Sequence, residues 1–388
     1  MSQLESLSKS KILFLRSSTQ ITFAAFVAGG LHYAGFDFMQ YPEVPTSSLD
    51  KLNKLYAPEE AQELLARNLI QTRNELQEKI EKNFFDLILL VDYDASLFRF
   101  IQMSWLKKIR NLLGLLPFFF KKNRKEFSKR LNCLRGVPFP LSRLGKERPL
   151  AVIDLDDWIC LPISGQNLLQ DCSFYYKREL PLNRFFLYYQ QRPAPWRLWR
   201  EKLAPVCKKV KNIPLGIEDK KYFSLKKLRT DKQDIDIFYC GTATSTIRTT
   251  VAELLQKISK KTNWNIVIAK NLPFAEYCKT VARSKITLSV SGGGWDCFRH
   301  YEAIALGSLP LMDRPTIDTF WWNKAPEEMF FTCTFESLYQ KLDQLLTDAA
   351  MWSTCLKQVE YLVESSMLHS KIVQYIVCSS LSKKNTAC

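Results

Sequence analysis

The sequence predicts an α/β protein of two Rossmann-like, doubly wound halves. Three observations predict it. Short apolar runs rich in β-branched residues alternate with stretches of helical spacing, the rhythm of parallel strands joined by crossover helices. The chain has 388 residues, more than one ordinary core holds, so two domains of roughly 150 to 200 residues are expected. A charged, irregular stretch with Pro214 and Gly216 at 210–227 suits a linker, which divides the chain into 1–215 and 216–388.

Taken in order, KILFL at 11–15 reads as a strand, 21–35 as a helix ending at Gly35, and 36–39 as a second strand. The loop between the first strand and helix, with Ser17, Ser18 and Thr19, would line the cleft above the sheet or simply cap the helix. Residues 57–82 read as one long polar amphipathic helix, and FDLILLV at 85–91 as a central parallel strand. Asp92 and Asp94 follow at its carboxyl end, where an acid serves as a general base or caps the next helix. PLAVIDLDDWICL at 149–161 is a further strand running into Asp154, Asp156 and Asp157. SFYYKREL at 173–180 is a short strand and turn carrying Lys177, Arg178 and Glu179.

The second series opens with DIDIFY at 234–239, then Gly241, a Thr/Ser cluster that includes Thr242, and a helix over 247–258 with Arg248 at its start. A strand at 264–269 and a helix at 274–283 lead to the stretch that carries the most chemistry. Residues 286–290 read as a buried strand that stops at Ser291, Gly292, Gly293 and Gly294; helical spacing begins at Asp296 and ends at Gly307. An aromatic and acidic loop at 321–331, a helix at 335–346 and one or two helices at 349–377 complete the chain.

Glycines let a ligand approach the backbone and a helix start adds partial positive charge, so this loop suits phosphate, with Arg299 as a fixed cation. Glu302, three residues on, suits the paired hydroxyls of a ribose, and Arg248 points to the same cleft. Together these residues describe a nucleotide diphosphate site whose amides, over 291–302, must stand open. The competing reading is structural: a tight turn, Asp296 as a cap on those amides, and Arg299 with Glu302 as a surface ion pair.

The string GGGWDCFRHYEAIALGSLPL resembles the C-terminal signature of exostosin-like and related GT-B glycosyltransferases, through Gly292 to Gly294, Asp296, Arg299, Glu302, Ala303, Gly307 and Pro310. Weaker likeness lies at FYCGTATSTIR and at YKREL. The resemblance implies a GT-B fold, two Rossmann-like domains facing across a cleft, with terminal helices that cross back to the first. It also implies a nucleotide-sugar donor on Ser291, Gly292, Gly293, Gly294, Asp296, Arg299, Glu302, Gly241, Thr242 and Arg248. The acceptor, a glycan, lipid or protein, would face the first half, with Asp92, Asp94, Asp156 or Asp157 as base. Leaving-group charge would be met by amides and guanidinium groups, so no metal and no further cofactor is expected.

Composition bounds the rest. Eleven Cys without CxxC pairs and three His suggest neither a disulfide framework nor a zinc site. Net charge is +16, and residues 99–148 hold fourteen Lys or Arg against two Glu. Within this basic insertion, 103–125 mixes Trp105 and Phe118 to Phe120 with cations, which suits an anionic membrane surface, an acidic acceptor or a core helix with solvated ends. No nucleic-acid recognition pattern is present. The apolar run before Arg16 is too short for a signal peptide and no segment reaches the ~20 apolar residues of a membrane span, so the expectation is a cytoplasmic protein, soluble or peripheral to the membrane. Two rival functions remain open: a metal-dependent phosphatase or GT-A-like transferase on Asp154 and Asp156, and a non-catalytic protein that binds polyanions or membranes.

Overall fold

The structure, a computed structural model, describes residues 9–16, 21–41, 63–91, 148–157, 159, 161, 169, 172–184, 187, 206–242 and 245–382. Ser17, Ser18, Thr19, Asp92, Asp94 and the basic insertion up to residue 147 lie outside them.

Among the described residues the first sheet runs β2-β1-β3-β4-β5-β6, every neighbouring pair parallel. Its strands are β1 (Lys11–Leu15), β2 (Asp37–Tyr41), β3 (Leu87–Val91), β4 (Leu150–Asp154), β5 (Phe174–Lys177) and β6 (Val210–Asn212). Strands β3 and β4 are buried along their whole length, which is why they read as unbroken apolar runs rather than alternating ones. The second sheet runs β11-β10-β9-β7-β8, from β7 (Ile235–Cys240), β8 (Ile266–Ala269), β9 (Ser284–Leu288), β10 (Leu309–Asp313) and β11 (Phe330–Phe331), again parallel. Strand order reverses between β1 and β3 in one sheet and between β7 and β9 in the other. Each reversal opens a crevice at the carboxyl ends of its strands.

Helix α1 (Ile21–Tyr33) covers the first sheet, and α2 (Arg73–Glu81) packs on its other face. The long helix expected over 57–82 is broken where it is described. Asn68 adopts a left-handed φ of 52°, and Thr72 caps α2 by accepting from the Glu75 N–H. The Thr72-x-x-Glu75 spacing is a capping signature in the sequence that outweighed continuous helical periodicity. The strand expected over 149–161 ends at Asp154, where the acids turn out of the sheet.

The junction is also more regular than expected, since α3 (Asp219–Lys226) forms within it. Lys226 of α3 pairs with Glu360 and Glu364, which holds the junction against the later helices. Helices α4 (Thr246–Ser259), α5 (Phe274–Ala282), α6 (Phe298–Ala305), α7 (Phe335–Thr347) and α8 (Ala349–Leu362) surround the second sheet. The loop expected over 321–331 yields the short edge strand β11.

The last helix, α9 (His369–Leu381), returns to the first sheet and packs on α1. Ile372, Val373, Ile376 and Val377 are fully buried in that core, each contributing roughly 1.5–3 kcal/mol. Gly30 permits the approach, because a Cβ there would meet Val373 Cγ2 at 2.4 Å. Gly216, at φ +66°, sits where the chain enters the second domain, and the Ile217 N–H donates to Met367 O while the His369 N–H donates to Ile217 O. No described helix is long and apolar enough to cross a membrane.

Candidate nucleotide-sugar site

The loop between β9 and α6 is built from the inside. The Ser291 N–H and hydroxyl both donate to Asp313 at the end of β10, at 2.8 and 2.7 Å. The Gly292 N–H closes a tight turn onto Gly294 O. The Trp295 and Asp296 N–H groups donate to Glu179, at 3.1 and 3.0 Å, from across the domain boundary. Asp296 itself accepts from the Leu215 N–H at 2.6 Å and the Tyr301 hydroxyl at 2.7 Å. Cys297 then stands as the N-cap of α6.

The expectation of open amides is therefore corrected. Those of Ser291, Gly292, Trp295 and Asp296 are taken by the protein, and among the described residues the Gly293 and Gly294 N–H groups carry no hydrogen bond. Asp296 is neither the cap of α6 nor turned to the cleft: buried, with both oxygens engaged, it ties the loop to the junction. The physical reason is length. Loop donors that water or a ligand would otherwise satisfy are reached by carboxylates on other elements.

The glycines are needed for close approach, not for a left-handed backbone. A Cβ would fall 2.2 Å from Arg248 Nη2 at Gly292, 2.8 Å from Asp157 Oδ2 at Gly293 and 2.5 Å from Glu179 Oε1 at Gly294. Three side chains from three elements converge on this one turn.

Cationic charge gathers at the β7–β9 crevice. Arg299 donates to Cys240 O, the last residue of β7, at 2.8 Å and to Val290 O, two residues past the end of β9, at 3.1 Å. It bridges the crevice without a carboxylate at ion-pair distance among the described residues. Burial, then the charge of Arg299, lowers the basicity of Arg248 beside it. Burial pushes the Cys297 thiol up, yet His300 and Arg299 together pull it down to about 6. Gly241 packs above Tyr239, within reach of Arg299, and Thr242 follows it, half-buried at the same crevice. His300 is a buried packing residue, bonded to Ser289 and Trp295 O.

Glu302 is buried on α6 and pairs with Lys221 of α3 at 2.8 Å, so it is not a surface partner of Arg299. Within the electrostatic reach of both Glu302 and Arg299 is Tyr277, whose buried hydroxyl has no hydrogen-bond partner among the described residues. Its phenol is pushed well above the ordinary value, first by burial and then by Glu302.

In the first domain, Asp154 is fully buried and accepts from Lys177 Nζ and the Tyr175 hydroxyl, both at 2.9 Å. Its other oxygen accepts from the Asp156 N–H. Burial, then the charge of Asp154, raises the Asp156 carboxyl above its ordinary value. Asp157 pairs with Arg178 and faces Gly293. Of the four acids proposed as base, Asp157 lines the cavity beside the loop, Asp156 precedes it half-buried, and Asp92 and Asp94 lie outside the described residues.

Sequence reasoning missed Glu179, Asp313 and Tyr277. The first was visible in the Lys-Arg-Glu segment but read as a fold element, and the second, closing LPLMD, carried the signal of an acid at a strand's carboxyl end. Tyr277 carried none. A cavity of about 390 Å³ opens on the β10–β11 side of the loop, with Asp157 and Glu179 on one wall and Asp313 and Phe331 on the other.

Two parallel α/β domains meeting at their strand ends, with the last helix crossing back, define the GT-B fold. Solved structures share it: a glycosyltransferase from Rickettsia africae superposes with a TM-score of 0.52 at 11% identity, covering 96% of this chain and 99% of that one. An alpha-glucosyltransferase in complex with UDP and a 13-mer DNA containing a central A:G mismatch gives 0.50 at 11% identity, covering 96% and 100%. No protein-family model and no curated protein sequence matches the chain.

Proposed function

We propose that this protein is a metal-independent glycosyltransferase of the exostosin-like kind, which takes a sugar from a nucleotide-diphosphate donor. One observation carries the reading: Arg299 and Arg248 stand together against the glycine loop at the β7–β9 crevice, and among the described residues Arg299 has carbonyls and the Cys297 thiol, but no carboxylate, for partners. Two neighbouring guanidinium groups repel one another, and an added anion relieves that repulsion. A diphosphate supplies that anion, and its charge grows as the sugar departs, so the arginines with the Gly293 and Gly294 N–H groups stabilise the transition state more than the ground state. Glu302 and the orphaned Tyr277 hydroxyl would take the ribose hydroxyls.

Of the two described acids proposed as base, Asp156, held above its ordinary carboxylate value, is the better suited to take a proton from an acceptor hydroxyl. Asp157, committed to Arg178, is less so. The metal-dependent rival is weakened because the Lys177 ammonium already occupies the carboxylate of Asp154 that would bind the ion. The acceptor is a glycan, lipid or protein, and the basic region at 99–148 would meet an anionic membrane surface from the cytoplasmic side. The similarity to a DNA-bound glucosyltransferase concerns the fold, and nucleic acid is not the acceptor proposed.

Calorimetric titration with UDP, GDP, ADP and dTDP in EDTA tests the reading. Binding of one of them with micromolar affinity supports it; four flat titrations remove it.

A further inference from the structure

The glycine loop separates two electrostatic fields. On the crevice side stand Arg248 and Arg299; on the other is the cavity, whose lining includes the carboxylates of Asp157, Glu179 and Asp313. Among the described lining residues Arg314 is the one cation, and it is paired with Glu327. Arg178, behind Glu179, is shared between that residue and Asp157. Each of the three carboxylates has a partner. Asp313 accepts from Ser291, Glu179 from Trp295 and Asp296, and Asp157 from Arg178.

Each engaged oxygen keeps a second lone pair, so these three carboxylates accept hydrogen bonds and donate none. A ring hydroxyl can donate to such a wall. A ligand carboxylate cannot, and it would face fixed like charges in a partly desolvated space. Phe331 offers an apolar surface to the C–H face of a ring, and the volume of about 390 Å³ falls in the range typical of small-ligand sites.

We infer that the cavity receives the glycosyl ring of the donor and that Asp157, Glu179 and Asp313 select an uncharged ring, excluding uronic acids and other carboxylate-bearing sugars. The inference rests on the nucleotide-sugar reading: the diphosphate lies against the arginines, and the ring crosses the glycine turn into the acidic side.

Calorimetry on the full chain tests it with a matched pair on whichever nucleotide binds, UDP-glucose and UDP-glucuronate in the first instance. The pair differs only at the C6 group. The hexose form is expected to bind at least about tenfold more tightly than the uronate form. Asp313→Asn and Asp157→Asn should each narrow that ratio, the second serving if the first fails to fold. Equal affinity for the two sugars, tighter binding of the uronate, or a ratio unmoved in both variants overturns the inference while leaving the diphosphate reading intact. A protein that binds none of the four diphosphates overturns both.

Discussion

Glu179 accepts a hydrogen bond at 3.1 Å from the backbone N–H of Trp295, a residue 116 positions away in the other domain. Its second oxygen accepts from Asp296, so one carboxylate caps two donors that α6 and its approach leave over. Removing it strands two buried amides and leaves Arg178 short of an acid. Glu179→Ala should destabilise the protein by about 3 kcal/mol, read as a lowered urea midpoint.

The same carboxyl gives a pH signature. Burial, opposed by Arg178 and aided by Asp296, holds it above its ordinary value of 4.5. The folded state then keeps this proton to a higher pH than the unfolded state does, so its contribution to stability falls as pH rises from the unfolded value through the folded one. In Glu179→Gln that descending part of the stability profile, just above pH 4.5, should flatten. An unchanged slope would mean that another group sets it.

Arg248 and Arg299 should respond differently to truncation. Arg248→Ala relieves repulsion from Arg299, which offsets the contacts it loses, so its melting temperature should change little while affinity for the bound diphosphate drops by about tenfold or more. Arg299→Ala strips the donors from Cys240 O and Val290 O and should lower stability by about 2 kcal/mol besides weakening the ligand. Equal affinity in Arg248→Ala and the parent would dissociate this residue from the site.

Lys177 and Asp154 form a fully buried pair, and breaking it from one side leaves a charge in the core. Lys177→Met should cost about 3–5 kcal/mol, whereas Lys177→Met with Asp154→Asn should recover much of that loss. The parent's transfer activity should be indifferent to EDTA, and loss of activity in EDTA that Mg²⁺ or Mn²⁺ restores would return Asp154 and Asp156 to the role of metal ligands.

Tyr277 offers the reverse case, a buried hydroxyl without a partner among the described residues. Tyr277→Phe should be neutral or slightly stabilising in the free protein, by up to about 1 kcal/mol. Weaker binding of the nucleoside diphosphate, with binding of inorganic pyrophosphate unchanged, would assign the hydroxyl to the ribose. Parallel losses for both ligands would refute that assignment.

The strands were legible because a strand buried on both faces needs an unbroken apolar run, and KILFL, LILLV and LAVID satisfy that within a few residues each. So was the strand, turn and helix order around Gly292, Gly293 and Gly294. Local rules failed where two of them competed: periodicity favoured one helix over 57–82, and the Thr72 cap divided it.

By itself the sequence determined the two α/β halves, the glycine turn and the arginines around it, since spacing and residue type act over a few positions. Only the tertiary structure decided which groups that turn meets. Glu179, Asp157 and Asp313 arrive from different strand ends, and their pairing with the loop depends on domain docking, a contact between residues far apart in the chain that no local pattern encodes.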